Sequence, residues 1–305
     1  MELSACIVVY NGAQEAIKAA QTVLDCTRRY PLTLYLVDNA SPDGSGKRLT
    51  AAAKDGTLRT APGQTVQVLC RLENGGFGTG HNTVLSLLHS RVHFILNPDI
   101  QLTADTLSDL ADWMAAHPGV VMTRPGLTFP DGRPQQLPLR RCNVRAMVYR
   151  QLPCLRFWAK YNDRYLMADK DLTKPIEIEF CTGSFSAVDT AAFKAVGGFD
   201  EGYFMYVEDA DLTQKMRTQG KAYLVPQYTA IHAWHRAAHR SLKPFLWQLR
   251  SLLRYGGFHA RREGGRLHMT FGVIFRTDTL IDSRRVTALE LRQTLFMKDN
   301  RRLIR

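Results

Sequence analysis

Apolar residues fill Leu3 to Tyr10 almost without interruption, and beyond Asn11-Gly12 the rhythm changes, with Ile17, Ala20, Val23 and Leu24 recurring at helical spacing between Ala13 and Arg28. The first pattern predicts a buried strand and the second a helix that packs one face. The alternation continues with a strand over Thr33 to Asp38, a helix after Pro42, a strand over Val66 to Arg71, a helix from about Thr79 to His89 and a strand over Val92 to Asn97. Strands alternating with helices of this length predict an α/β chain, a Rossmann-like, mostly parallel central sheet flanked by crossover helices.

The pattern then becomes mixed. Thr103 to His117 reads as a helix and Val120 to Thr123 as a strand, and Phe129-Pro130-Asp131-Gly132 carries turn chemistry suited to a hairpin. From Gln135 to about Thr173 the periodicity is poor. Order returns with a strand over Ile176 to Phe180, a helix near Asp189 to Val196, a break at Gly197-Gly198, a helix opening near Glu208 and a strand over Ala222 to Val225.

Charge divides the 305 residues into two parts. From Arg236 to Arg305 there are 16 Lys and Arg against 5 Asp and Glu, so nearly all of the net charge of +12 lies in that tail. A larger, nearly neutral domain over 1–235 and a basic, helical C-terminal extension over 236–305 are therefore expected. In the extension, large apolar groups and arginines share helical spacing from Pro244 to Phe258, followed by Arg261, Arg262 and Arg266. Two readings stay open: a helix lying in the headgroups of an anionic membrane, or a packed helix with a solvated basic face. No apolar run near the start approaches the roughly 20 residues that span a bilayer, and no signal-like segment opens the chain, so a cytoplasmic protein is expected, soluble or peripheral at the inner face of the plasma membrane. Cysteines 6, 26, 70, 142, 154 and 181 lack the spacing of a zinc knuckle or redox pair, and are expected to be reduced structural thiols. Nucleic acid is not an expected partner, since the positive charge is confined to the tail and no recognised binding motif accompanies it.

In an open sheet of this kind ligands sit beyond the carboxyl ends of the strands, which singles out Asn11, Asp38-Asn39, Asn74 and Asn97-Pro98-Asp99. Asp38 suits a ribose hydroxyl or base imide, or equally a turn and cap. The stretch Glu73 to Asn82, with Gly75, Gly76, Gly78 and Gly80, could bring backbone amides to phosphate oxygens, although its spacing matches neither the dinucleotide nor the Walker pattern. Asp99, held by Pro98 past a buried strand, could share a divalent cation with diphosphate oxygens or cap a strand end. Glu208-Asp209-Ala210-Asp211 suits an acidic helix start, or a carboxylate made more basic by the aromatic stretch Tyr203-Phe204-Met205-Tyr206 ahead of it. His232, His235 and His239 follow a strand, where one could add a nitrogen ligand or all could line a basic surface.

In order, the stretches Ile7 to Asn11, Leu36 to Ser41, Asn74 to Asn82, Leu96 to Asp99, Thr182 to Phe185, Gly197 to Asp211 and Ile231-His232 resemble glycosyltransferase family 2 and, within it, a rhamnosyltransferase-like bacterial branch. The resemblance implies the GT-A fold and an inverting, metal-dependent glycosyltransferase of cell-surface polysaccharide synthesis. It implies a donor site of Tyr10, Asn11, Asp38, Asn74, Gly76, Phe77, Asn82 and Asn97. Asn97-Pro98-Asp99 would take the place of the family's Asp-X-Asp motif, leaving Asp99 and His232 to hold Mg2+ or Mn2+. The base would be Asp209, with Glu208 orienting its surroundings and Asp211 the second candidate. Thr182, Gly183 and Ser184 would line the acceptor side, and Phe204 and Tyr206 could stack on sugar rings. The donor implied is dTDP-rhamnose, with a UDP-hexose second, and the acceptor a saccharide, either free or carried on a polyprenyl diphosphate. A nucleotidyltransferase of the same broad fold is disfavoured, because Tyr10 to Glu15 offers no glycine-rich basic cradle after the first strand.

Overall fold

The computed structural model describes residues 1–141, 146, 149, 156–233, 242–255, 258–263 and 266–271. Two units divide the chain, Met1–His239 and Arg240–Arg305.

The first unit opens with β1 (Leu3–Val9), α1 (Ala13–Cys26), β2 (Leu32–Asp38), α2 (Ser45–Lys54) and β3 (Gln64–Cys70). There follow α3 (Phe77–Asn82), β4 (Val92–Leu96), the two-residue β5 (Ile100–Gln101), α4 (Thr106–Ala116) and β6 (Val120–Thr128). Its remainder is α5 (Ala159–Tyr165), β7 (Ile176–Glu177), β8 (Phe185–Asp189), α6 (Thr190–Ala195), α7 (Glu208–Arg217) and β9 (Lys221–His232).

One sheet collects these strands in the order β3-β2-β1-β4-β8-β6-β9-β5, with β7 pairing on β9. The first four run parallel, and the near-continuous apolar runs of β1, β2 and β4 suit strands covered on both faces, while β3 lies at the less buried edge. Beyond β4 the sheet turns mixed: β8 pairs antiparallel with both β4 and β6, and β5 and β7 pair antiparallel with β9. The parallel half thus matches the sequence expectation, while the other half departs from a mostly parallel sheet.

Period-two alternation assigns each strand residue to one of two cores. Leu3, Ala5, Ile7 and Val9 face α1, α2 and α4, joined by Leu34, Leu36, Phe94 and Leu96. Cys6 and Val8 face the other side, with Tyr35, Val37 and Ile95, against Phe193 of α6 and Leu212 and Met216 of α7. Between β1 and β4 the chain order reverses, since β1 first extends towards β2 and β3 and the chain then returns to its other side. At such a switch point an open sheet places its ligand crevice, beyond the carboxyl ends of the strands.

Several expectations needed revision. The helix expected from Thr79 to His89 is the short α3 followed by a 3-10 turn at Leu85–Leu87. The strand expected over Ala222 to Val225 is twelve residues long; Pro226 hides its continuation by interrupting the pairing with β6, where the register jumps from Pro125↔Val225 to Gly126↔Thr229. The strand expected over Ile176 to Phe180 pairs at only two residues.

In the second unit α8 (Leu242–Tyr255) is the expected helix, and β10 (Phe258–Glu263) and β11 (Arg266–Phe271) form an antiparallel hairpin in place of further helix. Among the described residues no helix is long and apolar enough to cross a membrane. Cys142, Cys154, His235 and His239 lie outside the described residues, and the four described cysteines, Cys6, Cys26, Cys70 and Cys181, are free thiols.

Phe94 marks the seam between the parallel and mixed halves. It is fully buried and meets Phe185 of β8 edge to face, with ring centroids 6.2 Å apart. Replacing Phe94 with Ala is expected to cost about 3–5 kcal/mol in urea unfolding, because the cavity opens in a fully packed layer.

Candidate functional site

The donor-side residues gather where the crevice opens. Tyr10 and Asn11 follow β1, with the Tyr10 ring 52% exposed at the mouth and Asn11 in the left-handed region at φ 63°. Asp38 ends β2 and is buried, its two carboxylate oxygens each 3.4 Å from the Ser41 amide. Gly46 leaves room for it, since a Cβ there would lie 2.7 Å from Asp38 Oδ2.

Helix α1 has an N-terminus already furnished with acceptors. The Asn11 amide donates to Ser41 Oγ, the Gly12 amide to Asp43 and the Ala13 amide to Ser45 Oγ. Asp43, held below the usual carboxylate range chiefly by its hydrogen bonds to Ser45, keeps its charge there.

Asn39, named with Asp38 among the strand-end polar residues but given no role of its own, fastens the glycine-rich turn. Its side-chain amide donates to Asn74 Oδ1 at 2.9 Å and to the Gly76 carbonyl at 3.0 Å, while Asn74 Oδ1 also accepts from the Gly76 amide. The glycines of this turn are packed by protein. A Cβ on Gly76 would fall 2.0 Å from the Phe204 carbonyl oxygen, one on Gly78 would fall 2.8 Å from Phe199, and one on Gly80 2.6 Å from Val8. Gly76 also needs its φ of 91°. Phe77 lies edge-on to His81 and Phe199. The Asn82 side chain clamps the far loop, donating to the Phe199 carbonyl and Glu201 and accepting from the Phe199 amide.

Beyond β4, Asn97 and Asp99 part company. The Asn97 amide donates to the Ser184 carbonyl at 2.9 Å, tying the donor side to the segment before β8. Asp99 is buried beside β9, whose last residue, His232, pairs with Ile100. This pairing sets Asp99 Oδ1 3.4 Å from His232 Nε2. Gln135, buried and unannounced by any periodicity, meets the other face of the ring at Nδ1, 2.9 Å away. The signal for it was the turn at Phe129 to Gly132, which returns the chain alongside β6 so that the Gln135 amide donates to the Leu127 carbonyl.

The acid pair opens α7. Tyr206 and Val207 are both left-handed, at φ 68° and 70°, an unusual state for consecutive residues with β-carbons and a costly one for a β-branched valine. They aim the start of α7 so that Asp209 receives the Gly183 amide at 3.0 Å and the Ala210 amide at 2.9 Å. Burial pushes the Asp209 carboxyl up despite these two donors. Glu208, 7% exposed, is pushed up to about 8, first by burial and then by the charge of Asp209. Tyr206 rises too, through burial and the nearby Glu208.

Thr182 and Ser184 share a hydroxyl contact of 2.9 Å, and Gly183 lies between the Phe77 ring and Asp209, with room for little more than hydrogen on its α-carbon. Phe204 and Tyr206 are half-buried on the adjoining loop. One continuous path therefore runs from Asn97 through Ser184 and Gly183 to Asp209, and from Gly183 through Phe77 to the glycine turn.

The Asp99–His232 pair has the chemistry of a divalent-cation site: one carboxylate oxygen and one imidazole nitrogen, both buried and 3.4 Å apart. Among the described residues no group of three or more His, Cys, Asp or Glu gathers to hold an ion, so water and the ligand's own oxygens would complete any coordination.

Comparison with known proteins bears on the family and the fold. The profile of glycosyl transferase family 2 matches residues 4–197. Rhamnosyltransferase WbbL of Escherichia coli K12 is 28% identical over 233 residues, spanning 72% of this chain and 86% of that protein. The N-acetylglucosaminyl-diphospho-decaprenol L-rhamnosyltransferase of Mycobacterium tuberculosis H37Rv is 27% identical over 226 residues, spanning 68% and 67%. Among solved structures, the mannosyltransferase PcManGT from Pyrobaculum calidifontis, in complex with GDP-Man and Mn2+, aligns with TM-score 0.56 at 17% identity over 84% of this chain and 63% of its own. GalNAc-T7 with UDP, GalNAc and Mn2+ aligns with TM-score 0.60 at 16% identity over 85% and 48%. The chain spans less than two thirds of either solved protein, and at these identities the likeness speaks for the fold, which is GT-A. With that fold and a family match over most of the first unit, the chain belongs to glycosyl transferase family 2.

Proposed function

We propose that this glycosyltransferase is inverting and metal-dependent, and that it moves L-rhamnose from dTDP-rhamnose to a saccharide acceptor carried on a polyprenyl diphosphate, in cell-surface polysaccharide synthesis. The observation that carries the proposal is the path Asn97–Ser184–Gly183–Asp209, which ties an acid of raised basicity to the donor-side strand ends. Rhamnose is supported by the two curated relatives, both rhamnosyltransferases, and the lipid diphosphate by the name of the mycobacterial one. The UDP bound by GalNAc-T7 keeps a UDP-hexose as the second reading. Against a nucleotidyltransferase stands the N-terminus of α1, whose first amides are taken by Ser41, Asp43 and Ser45.

In this mechanism Tyr10, Asn11 and Asp38 hold the nucleoside, and Asn74, Gly76, Phe77, Asn82 and Asn97 shape the wall behind it. Asp99 and His232 hold the cation. A bound Mg2+ or Mn2+ supplies positive charge against the departing diphosphate. Asp209 takes the proton from the acceptor hydroxyl as that oxygen attacks the anomeric carbon from the face opposite the diphosphate, and a single displacement inverts the centre. Burial makes Asp209 a stronger base than an exposed aspartate. Burial and the charge of Asp209 push the Glu208 carboxyl up, which disfavours two full negative charges on the pair. Thr182, Gly183 and Ser184 border the acceptor, with Phe204 and Tyr206 offering ring faces to its sugar. The proposed setting is the inner face of the plasma membrane, with the basic unit from residue 236 onwards supplying peripheral contact.

Thermal shifts with dTDP-rhamnose, dTDP, UDP-glucose and GDP-mannose, each with and without Mn2+, test the donor, since a ligand that binds the native state raises the melting temperature. Stabilisation by the thymidine ligands that needs Mn2+ and is lost in Asp99→Ala is expected; a uridine preference would replace the donor. Asp209→Asn is expected to keep the donor-induced shift while turnover drops about 100- to 10,000-fold, and a near-native rate would remove Asp209 as base. Folded Glu208 holds its proton up to about pH 8, whereas its ordinary value is 4.5. Between these values the folded state binds the extra proton, so this residue makes stability fall as pH rises. Glu208→Gln removes that loss, and its melting temperature relative to the native chain should climb between about pH 5 and about pH 8.5; a constant difference would contradict the burial of this acid.

A further inference from the structure

Gln135 stands outside every motif of the chain, yet its side chain makes two contacts to a single residue, His232. Its Nε2 donates to the His232 carbonyl at 2.7 Å and, more weakly, to the Thr128 carbonyl at 3.4 Å. Its Oε1 lies 2.9 Å from His232 Nδ1. The orientation of a glutamine amide is often ambiguous, but here the surroundings decide it. Both carbonyls can only accept, so the NH2 end must face them and the oxygen must face the ring. An amide oxygen can only accept in turn, so Nδ1 carries a proton. In a neutral imidazole the other nitrogen, Nε2, then presents its lone pair, and it points at Asp99 Oδ1 across 3.4 Å. That separation is longer than the roughly 3.2 Å of a well-made N–H···O bond.

We infer that Gln135 is a positioning residue for the cation site: it fixes the His232 tautomer so that Nε2 and Asp99 both face the ion as ligands. The inference rests on the metal-dependent reading proposed above. Without an acceptor at Nδ1, the imidazole would place its proton on Nε2, where the Asp99 carboxylate accepts it. Each ligand atom would then be engaged by the other. Gln135 is buried, and its own backbone is anchored to Leu127, so the oxygen is presented from a fixed point. Partners of this kind, which hold a ligating histidine by its remote nitrogen, typically change metal affinity by about 10- to 100-fold when removed.

Two variants separate the acceptor from the packing. Gln135→Met keeps the length of the side chain and removes both contacts; Gln135→Glu keeps an acceptor at Nδ1 and removes the donor to the two carbonyls. The first readout needs no metal and no turnover: 15N shifts of the His232 ring in the metal-free chain at about pH 8, above the ordinary histidine value. The second is Mn2+ titration with and without dTDP, followed by the electron paramagnetic resonance of free Mn2+. Expected are an Nδ1–H ring in the native chain and in Gln135→Glu, an Nε2–H ring in Gln135→Met, and Mn2+ binding weakened about 10- to 100-fold in Gln135→Met alone. A native ring protonated at Nε2, or Gln135→Met binding Mn2+ as the native chain does, overturns the inference, as does a Gln135→Glu chain that loses Mn2+ to the same degree. A native chain that takes up no Mn2+ even with dTDP fails at the earlier step: it removes the metal reading, and the inference with it, whatever the tautomer.

Discussion

The hydrogen bond from the Gly183 amide to Asp209 is the constraint on which the site depends. It exists because β8 runs antiparallel beside β4 in a register that pairs Leu96 with Phe185. That register leaves the residues before β8 level with the residues after β4, so Ser184 can accept from Asn97 while Gly183 reaches the acid on α7. A one-residue slip would invert the faces of β8 and turn Phe185 out of the core. The hydrophobic packing of the seam and the position of the acid are therefore a single structural decision.

Much of this was legible in the chain. Asp38, Asn97 and Asp99 announced themselves because an apolar strand ends and a carboxylate or amide follows at once, and the parallel half of the sheet makes that position the crevice. The acid pair was legible as chemistry, though not as geometry: nothing in Tyr206-Val207 signals that two residues with β-carbons adopt left-handed backbone to aim α7. Among the strands, β8 was not expected at all, its five residues running directly into the N-cap of α6, whereas β5 and the continuation of β9 beyond Val225 were hidden by length and interruption. β5 is two residues long, and β9 runs through Pro226, where its pairing with β6 skips residues. A pattern of alternation needs more length than the first has and fewer interruptions than the second.

Gln135 and the role of Asn39 escaped notice for a different reason. Each works by hydrogen bonds to residues far off in sequence, His232 in one case and Asn74 in the other, and a single buried amide leaves no periodic trace. The glycine turn was legible as a turn, though the packing that its glycines permit was not. Its glycines admit the Phe204 carbonyl, the Phe199 ring and Val8 rather than standing open, which makes the turn the piece against which the aromatic loop is seated.

That interlock bears on how such an enzyme could come to accept a different sugar donor. Gly76, Gly78, Gly80, Gly183 and Gly198 each face a neighbour closer than or at the limit a β-carbon could tolerate, so the floor and back wall of the crevice admit almost no single-step variation. Divergence of substrate preference must then proceed from the rim, where an exposed side chain such as Tyr10 can change size and polarity without disturbing anything packed behind it. The molecule confines its evolvability to its edge and keeps its centre fixed.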